Sequence, residues 1–305
     1  MPVNGLHHVT MMAGAATPHD AFYREALGLR RVKVTVNFDA PDVYHLYFGD
    51  RHGTPGTAIT SFPFGPRAAR GARGAGEATE VAYAVPEGSL DAWERLGGAR
   101  GSRFGEARLA LEGPDGEGIA LVETADAREP WTGVHSAAQA IRGFQGVTLT
   151  LRDAGPARDL LLAMGYESEA RDGAILRMRP RAGAGVVDLL ADPAAPPARA
   201  SAGSVHHVAF LVPDDAAQEA VRRDLLAFGL RPTPQVDRDY FRSIYFRTPG
   251  GVLFEVATAQ PGFARDEDEA RLGERLMLPR QHEHLRGRLA RQLEPLEGLR
   301  LEAPA

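Results

Sequence analysis

Two histidine pairs and one glutamate have the types and spacing for metal chemistry. His7-His8-Val9 lies near the start of the chain, and His206-His207-Val208 repeats it in the last third. Each pair begins an apolar run with strand character, GLHHVTM and VHHVAFLV. Neighbours in a strand point to opposite faces, so one imidazole of each pair should face a cavity and the other its back or flank. Glu255 sits within VLFEVA, flanked by apolar residues. A carboxylate buried in such a strand is costly unless it is paired or bound to a cation. Two histidines and one carboxylate form the facial arrangement that holds Fe(II) while leaving other positions open for substrate and dioxygen. Mn(II) is the alternative ion.

The rest of the composition narrows the choices. The chain contains no cysteine, which excludes disulfides, thiolate zinc sites and cysteine nucleophiles. Its 305 residues are 44% apolar and 25% charged, the balance of a globular protein with about two domains. No stretch reaches the roughly 18 apolar residues of a membrane span. The opening MPVNGLHHVT lacks a basic leader and an apolar signal core, so a cytoplasmic protein with no membrane partner is expected. A formal charge of −5 gives no basis for nucleic-acid binding. Arg67, Arg70 and Arg73 lie among Gly and Ala, a pattern expected of a solvated connecting loop. His282 and His284, two apart in a charged tail, fall on different faces of a helix and read as surface residues.

The elements that must position the histidines recur four times. Strands open each copy at Gly5 to Met11, Glu80 to Val85, Phe144 to Leu151 and Val205 to Val212. Helical stretches follow at His19 to Leu27, Ser89 to Leu96, Gly155 to Met164 and Asp215 to Phe228. Several of these end at a glycine suited to a left-handed cap, as in Ala26-Leu-Gly-Leu29. Three short strands complete each copy, the last one after a turn such as Thr248-Pro-Gly-Gly251. The expected fold is α+β, with four βαβββ modules paired into two cupped half-barrel domains. Composition breaks at Asp126 to Arg142 and at the Pro/Ala-rich Asp192 to Ala202. The second reads as a semi-rigid link between copies three and four, and the first suggests an N-terminal domain of two modules over 1–137 and a C-terminal domain of two modules over 138–261, followed by a peripheral helical tail over 262–305. Aligning the last strands on their turns sets Glu255 against Thr60, Val122 and Leu189; aligning the first strands sets the histidine pairs against Val81-Ala82 and Gln145-Gly146.

GLHHVT, VHHVAF and DRDYFRSIYFRTPGGVLFEVAT, with the tail segment LGERLMLP, resemble the vicinal oxygen chelate superfamily, and within it the hydroquinone-type ring-cleaving dioxygenases. The resemblance spans the whole chain. It implies His8, His207 and Glu255 as metal ligands, with the first and fourth modules sharing one cup. It also implies His7, Thr10, His206, Arg238 and Tyr245 as catalytic neighbours, with His206 and Tyr245 moving protons and Arg238 holding an anionic oxygen. The implied substrates are an aromatic diol and O2, and a homo-oligomer is compatible. Three other readings share the scaffold: a glyoxalase-type lyase or isomerase, a catechol extradiol dioxygenase, and a non-catalytic small-molecule binding protein.

Overall fold

The computed structural model describes residues 1–301. The first module comprises β1 (Leu6–Ala13), α1 (Ala16–Ala21), β2 (Arg30–Val36), β3 (Tyr44–Gly49) and β4 (Ala58–Pro63). The second comprises β5 (Glu77–Val85), α2 (Leu90–Trp93), β6 (Ala99–Arg103), β7 (Glu106–Glu112) and β8 (Gly118–Glu123). The third comprises β9 (Gly143–Leu151), α3 (Gly155–Ala163), β10 (Tyr166–Asp172), β11 (Ile175–Pro180) and β12 (Val186–Ala191). The fourth comprises β13 (Val205–Val212), α4 (Asp215–Ala227), β14 (Val236–Asp237), β15 (Arg242–Arg247) and β16 (Leu253–Thr258). A π-helical turn, Phe22–Ala26, prolongs α1, and a 3-10 turn, Glu94–Leu96, prolongs α2. The four expected βαβββ units are therefore present.

The modules join in an order that the chain does not follow. One eight-stranded sheet runs β14-β15-β16-β13-β1-β4-β3-β2, uniting modules one and four; the other runs β10-β11-β12-β9-β5-β8-β7-β6, uniting modules two and three. Each sheet thus takes strands from both sides of a division at 137/138. Physically, the opening strand of each module has a free edge, and antiparallel pairing of β1 with β13 and of β5 with β9 removes it. The connectors that cross between the sheets are zipped together. Arg70, Ala72 and Ala75 bridge to Ala202, Arg199 and Pro197, joining the arginine-containing loop to the Pro/Ala-rich link. Arg70 and Arg73 reach the carbonyls of Pro114 and Gly116, which fastens this exposed loop to the second module. At Gly74 a Cβ would lie 2.3 Å from the Pro196 carbonyl oxygen, so only glycine permits this approach.

The apolar core lies beneath the helices and between the sheets. Tyr23, Phe48, Trp93, Phe144, Tyr166, Phe210 and Phe254 are all buried in it. The tail differs from the peripheral helix expected. Among the described residues it consists of short 3-10 turns and a single helix, α5 (Arg286–Gln292), broken by Gly273 and Pro279. Leu276 and Leu289 are fully buried, and Leu276 bridges to Val34. Lys33 on β2 is also completely buried, with Asp266 2.6 Å away and Glu267 2.5 Å away. Two tail carboxylates thus neutralise a charge inside the first module. His282 Nε2 lies 2.9 Å from the Phe38 carbonyl, so this histidine fixes the tail to a loop beside the first cup.

Candidate metal centre

β1 and β13 run antiparallel at the middle of the first sheet, with Val9 opposite Val208, His8 opposite Ala209 and Thr10 opposite His207. The register slips between Leu6 and His8 on β1, and between His207 and Val205 on β13. His7 and His206 are therefore the extra residues of two β-bulges. This corrects the expected alternation, because a bulge re-aims its residue and breaks the two-residue period. Each bulged imidazole lies beside its neighbour: His7 Nδ1 is 2.8 Å from His8 Nδ1, and His206 Nδ1 is 2.7 Å from His207 Nδ1.

That contact determines what the inner imidazoles offer. Burial, then the neighbouring His8 charge, pushes His7 down to about 3. Burial, then His207, pushes His206 down to about 4. Both outer rings are neutral acceptors at pH 7. Assigning the Nδ1 protons to His8 and His207 leaves their Nε2 lone pairs directed inward, the arrangement a metal-ligating imidazole requires.

The inward atoms converge on Glu255. His8 Nε2 and His207 Nε2 are 3.2 Å apart, and Glu255 Oε2 lies 3.5 Å from the first and 2.8 Å from the second. The glutamate is fully buried on β16, which runs parallel to β13 with Glu255 beside Ala209. Its Oε1 accepts a hydrogen bond from the Ser243 hydroxyl, while Oε2 receives no aligned hydrogen bond. Burial works against the charged carboxylate, but positive charge on His8 and His207, where protons take the place of a metal ion, holds Glu255 well below the usual carboxylate range. An orphaned anionic oxygen facing two imidazole lone pairs is a donor set suited to a divalent transition metal.

A cavity of about 240 Å³ opens over this cluster. Besides the three converging residues, His206, Arg238, Tyr245 and Phe241 line it from module four, and Phe38, His45, Tyr47 and Phe62 from module one. A single aromatic ring, which fills roughly 150 Å³, fits. Arg238 Nε donates to the Tyr245 hydroxyl at 3.1 Å, and its guanidinium lies over the Tyr245 and Phe38 rings. Asp239, at φ 67, lets the DRDY turn present Arg238 in this way; aspartate tolerates the left-handed region better than most residues. The Tyr245 ring centroid is 5.8 Å from that of His207.

Of the residues expected from the sequence, the structure brings His206, Arg238 and Tyr245 to the cavity with His8, His207 and Glu255. His7 stands behind His8 and packs against Phe241. Thr10 does not line the cavity; its hydroxyl lies 2.7 Å from that of Thr60. His45 and Tyr47 were not anticipated. Their signal was present in YHLYF on β3, where two polar rings two residues apart share one face of a strand. Phe38 and Asp39 belong to a loop whose sequence marks no position.

The second cup is built on the same registers and is filled with ion pairs. Asp188 lies beside Thr148 as Glu255 lies beside Ala209, and opposite Arg177 as Glu255 lies opposite Tyr245. Glu80 lies opposite Thr148 as His8 lies opposite Ala209. The counterpart of Glu255 in module three is therefore Asp188 rather than Leu189. In module two the counterparts of His8 and Thr60 are Glu80 and Ala120 rather than Ala82 and Val122, since alignment on turns carries no information about strand register. Arg103 reaches Glu80 at 3.1 Å, the Thr148 hydroxyl at 2.8 Å and Asp188 at 3.3 Å. A guanidinium supplies the positive charge there.

Comparison with known proteins bears on the same residues. A family model described as the Glyoxalase/Bleomycin resistance protein/Dioxygenase superfamily matches residues 167–256. MhqO of Bacillus subtilis (strain 168), named as a ring-cleaving dioxygenase, is 39% identical over 303 residues, covering 96% of each chain. The chain belongs to the glyoxalase/bleomycin resistance/dioxygenase superfamily. Several relatives that match over nearly the whole chain are named as ring-cleaving dioxygenases. A further relative is the chlorohydroquinone/hydroquinone 1,2-dioxygenase of Sphingobium indicum, 37% identical over 95% of this chain and 96% of that protein. The crystal structure of a Bacillus subtilis protein described as a dioxygenase superposes with a TM-score of 0.93 at 38% identity, covering 97% of this chain and 98% of that one. Glyoxalase I from Zea mays, 16% identical over 84% of this chain and 92% of its own, gives a TM-score of 0.61 and shares the superfamily's fold alone. No helix among the described residues is long and apolar enough to cross a membrane.

Proposed function

We propose that this protein is an Fe(II)-dependent dioxygenase that opens the ring of a hydroquinone-type aromatic diol with O2. The observation that carries the reading is the convergence of His8, His207 and the orphaned Glu255 oxygen beneath a ring-sized cavity. The relatives' names supply the reaction class. Bound iron(II) would supply the electronic coupling between an aromatic diol and dioxygen. His8, His207 and Glu255 would hold that ion, and Mn(II) fits the same donors.

The remaining residues orient the substrate. Thr60 lies at the counterpart position of Glu255, beside Thr10 as Glu255 lies beside Ala209, so the strands of module one contribute no carboxylate to the cluster. The Arg238 guanidinium, bonded to the Tyr245 hydroxyl, places a positive charge and a phenolic donor where an anionic substrate oxygen would lie. His206, neutral and on the cavity wall with Nδ1 turned to His207, would present its Nε2–H to a substrate oxygen as a hydrogen-bond donor. Phe38, Phe62 and Phe241 supply apolar contact to the ring and keep water away.

The deciding experiment is turnover of hydroquinone by protein loaded with ferrous ion, with and without air. Ring-opened product formed with stoichiometric O2 uptake supports the proposal. Turnover of a hemithioacetal without oxygen would favour the lyase or isomerase reading. Cleavage of catechol with no action on hydroquinone would reassign the diol.

A further inference from the structure

Four side chains that the proposed reaction leaves unused form one hydrogen-bonded row along module one. The Thr10 hydroxyl lies 2.7 Å from that of Thr60, Thr60 Oγ1 lies 2.9 Å from His45 Nε2, and His45 Nδ1 lies 2.8 Å from the Tyr47 hydroxyl. Thr10, Thr60 and Tyr47 are almost completely buried, and His45 is 8% exposed. The row ends inside the sheet at Thr10 and reaches the cavity at His45 and Tyr47. A path with one blind end does not conduct protons to solvent, but it does fix the group at its open end.

The register gives that open end a meaning. Tyr47 lies opposite Thr60 as Tyr245 lies opposite Glu255, so the two tyrosines occupy counterpart positions on the two halves of one cup. Tyr245 stands on the carboxylate side, beside His207 and Arg238. Tyr47 stands on the side where Thr60 occupies the position of the glutamate. The row also has two self-consistent polarities. In one, Tyr47 donates to His45 and offers a lone pair to the cavity. In the other, protons run from Thr10 through Thr60 and His45, and Tyr47 donates into the cavity. Such a hydroxyl serves either an OH or an O⁻ partner.

We propose that Tyr47 binds the second oxygen of the aromatic diol, the one not directed at His8, His207 and Glu255, and that His45, Thr60 and Thr10 are its positioning residues. The inference rests on the ring-cleavage reading and adds to it a determinant for diols over simple phenols. A hydrogen bond in a closed cavity discriminates against a ligand lacking the group, because the protein's own polar atom is then left unpaired.

The test uses iron-loaded, anaerobic protein and measures the Kd of hydroquinone and of phenol by titration. Wild type should hold hydroquinone about tenfold more tightly than phenol, in line with one hydrogen bond in a desolvated site. Tyr47→Phe should bring the two values together by weakening hydroquinone alone, and His45→Leu should do the same with iron content unchanged. Tyr47→Phe protein that keeps the tenfold preference overturns the proposal and leaves ring cleavage standing. Equal weakening of both ligands also overturns it, since Tyr47 would then touch the oxygen that both share. Wild type that binds neither ligand overturns the diol reading together with this one.

Discussion

The Ser243 hydroxyl is hydrogen-bonded to Oε1 of Glu255, and that bond leaves Oε2 as the oxygen facing the two imidazoles. Ser243 is completely buried on β15, so no water replaces it. Ser243→Ala is expected to leave the fold intact and to weaken metal binding about tenfold, as loss of a group that orients a ligand does. Metal competition against a chelating dye measures this, and an unchanged affinity would show that the sheet alone fixes the carboxylate.

Replacing His8, His207 or Glu255 by Ala should remove stoichiometric metal and activity from a folded protein. Each change deletes one of three donors from a buried set. Iron content by elemental analysis, with circular dichroism as the folding control, gives the answer. Full retention in all three variants would refute the assignment.

His7 and His206 bear on that donor set indirectly, since the Nδ1 of each lies within hydrogen-bond reach of the Nδ1 of an inner imidazole. His7→Ala and His206→Ala should keep bound metal with roughly 10- to 100-fold lower affinity. His206→Ala should lose the more turnover, because His206 alone of the two lines the cavity. If His206→Ala released all iron and His207→Ala none, the inner and outer roles on β13 would be reversed.

A catechol chelates through two oxygens, whereas a hydroquinone reaches the ion through one and depends on the protein for orientation. Arg238→Ala and Tyr245→Phe should therefore depress kcat/KM for hydroquinone by about tenfold or more and that for catechol by less. The ratio of the two values under saturating iron and air is the readout. A ratio unchanged in both variants would remove the pair from substrate orientation.

Stability should vary with pH through Glu77, far from the cup. Burial pushes its carboxyl up to about 7 against the opposing Arg73, and its Oε2 has no hydrogen-bond partner. A raised acid favours the folded protein in its protonated form. That contribution is complete below the unfolded carboxyl range and is lost as pH rises through about 7. Glu77→Gln should thus raise Tm by roughly 2–4 °C at pH 8 and by little at pH 5. Equal gains at both pH values would show that the charge plays no part.

The modules, their helices, the histidine pairs and the strand glutamate were legible in the sequence because each depends on local pattern, whereas the choice of His8 and His207 within the pairs came with the family resemblance. Repeated strand openings and turn glycines mark the units, and a glutamate inside VLFEVA is chemically conspicuous. What escaped was register. The bulges at His7 and His206 follow from how β1 meets β13, and no property of a single strand announces them. Asp188 was missed as the mate of Glu255 for the same reason. Tyr47 and His45 alternate like ordinary strand residues, and only their place across from Thr60 gives them a role.

The pairing of modules one and four also sets an order of events during synthesis. β1 lies between β13 and β4, so it waits with one edge unpaired until the ribosome has delivered most of the chain. Modules two and three are complete earlier, and their sheet can close while the first strand still waits. His8 and Glu255 meet only when β16 has emerged. The donor set of His8, His207 and Glu255 is thereby confined to a chain complete through β16, and a shorter one brings no such group together.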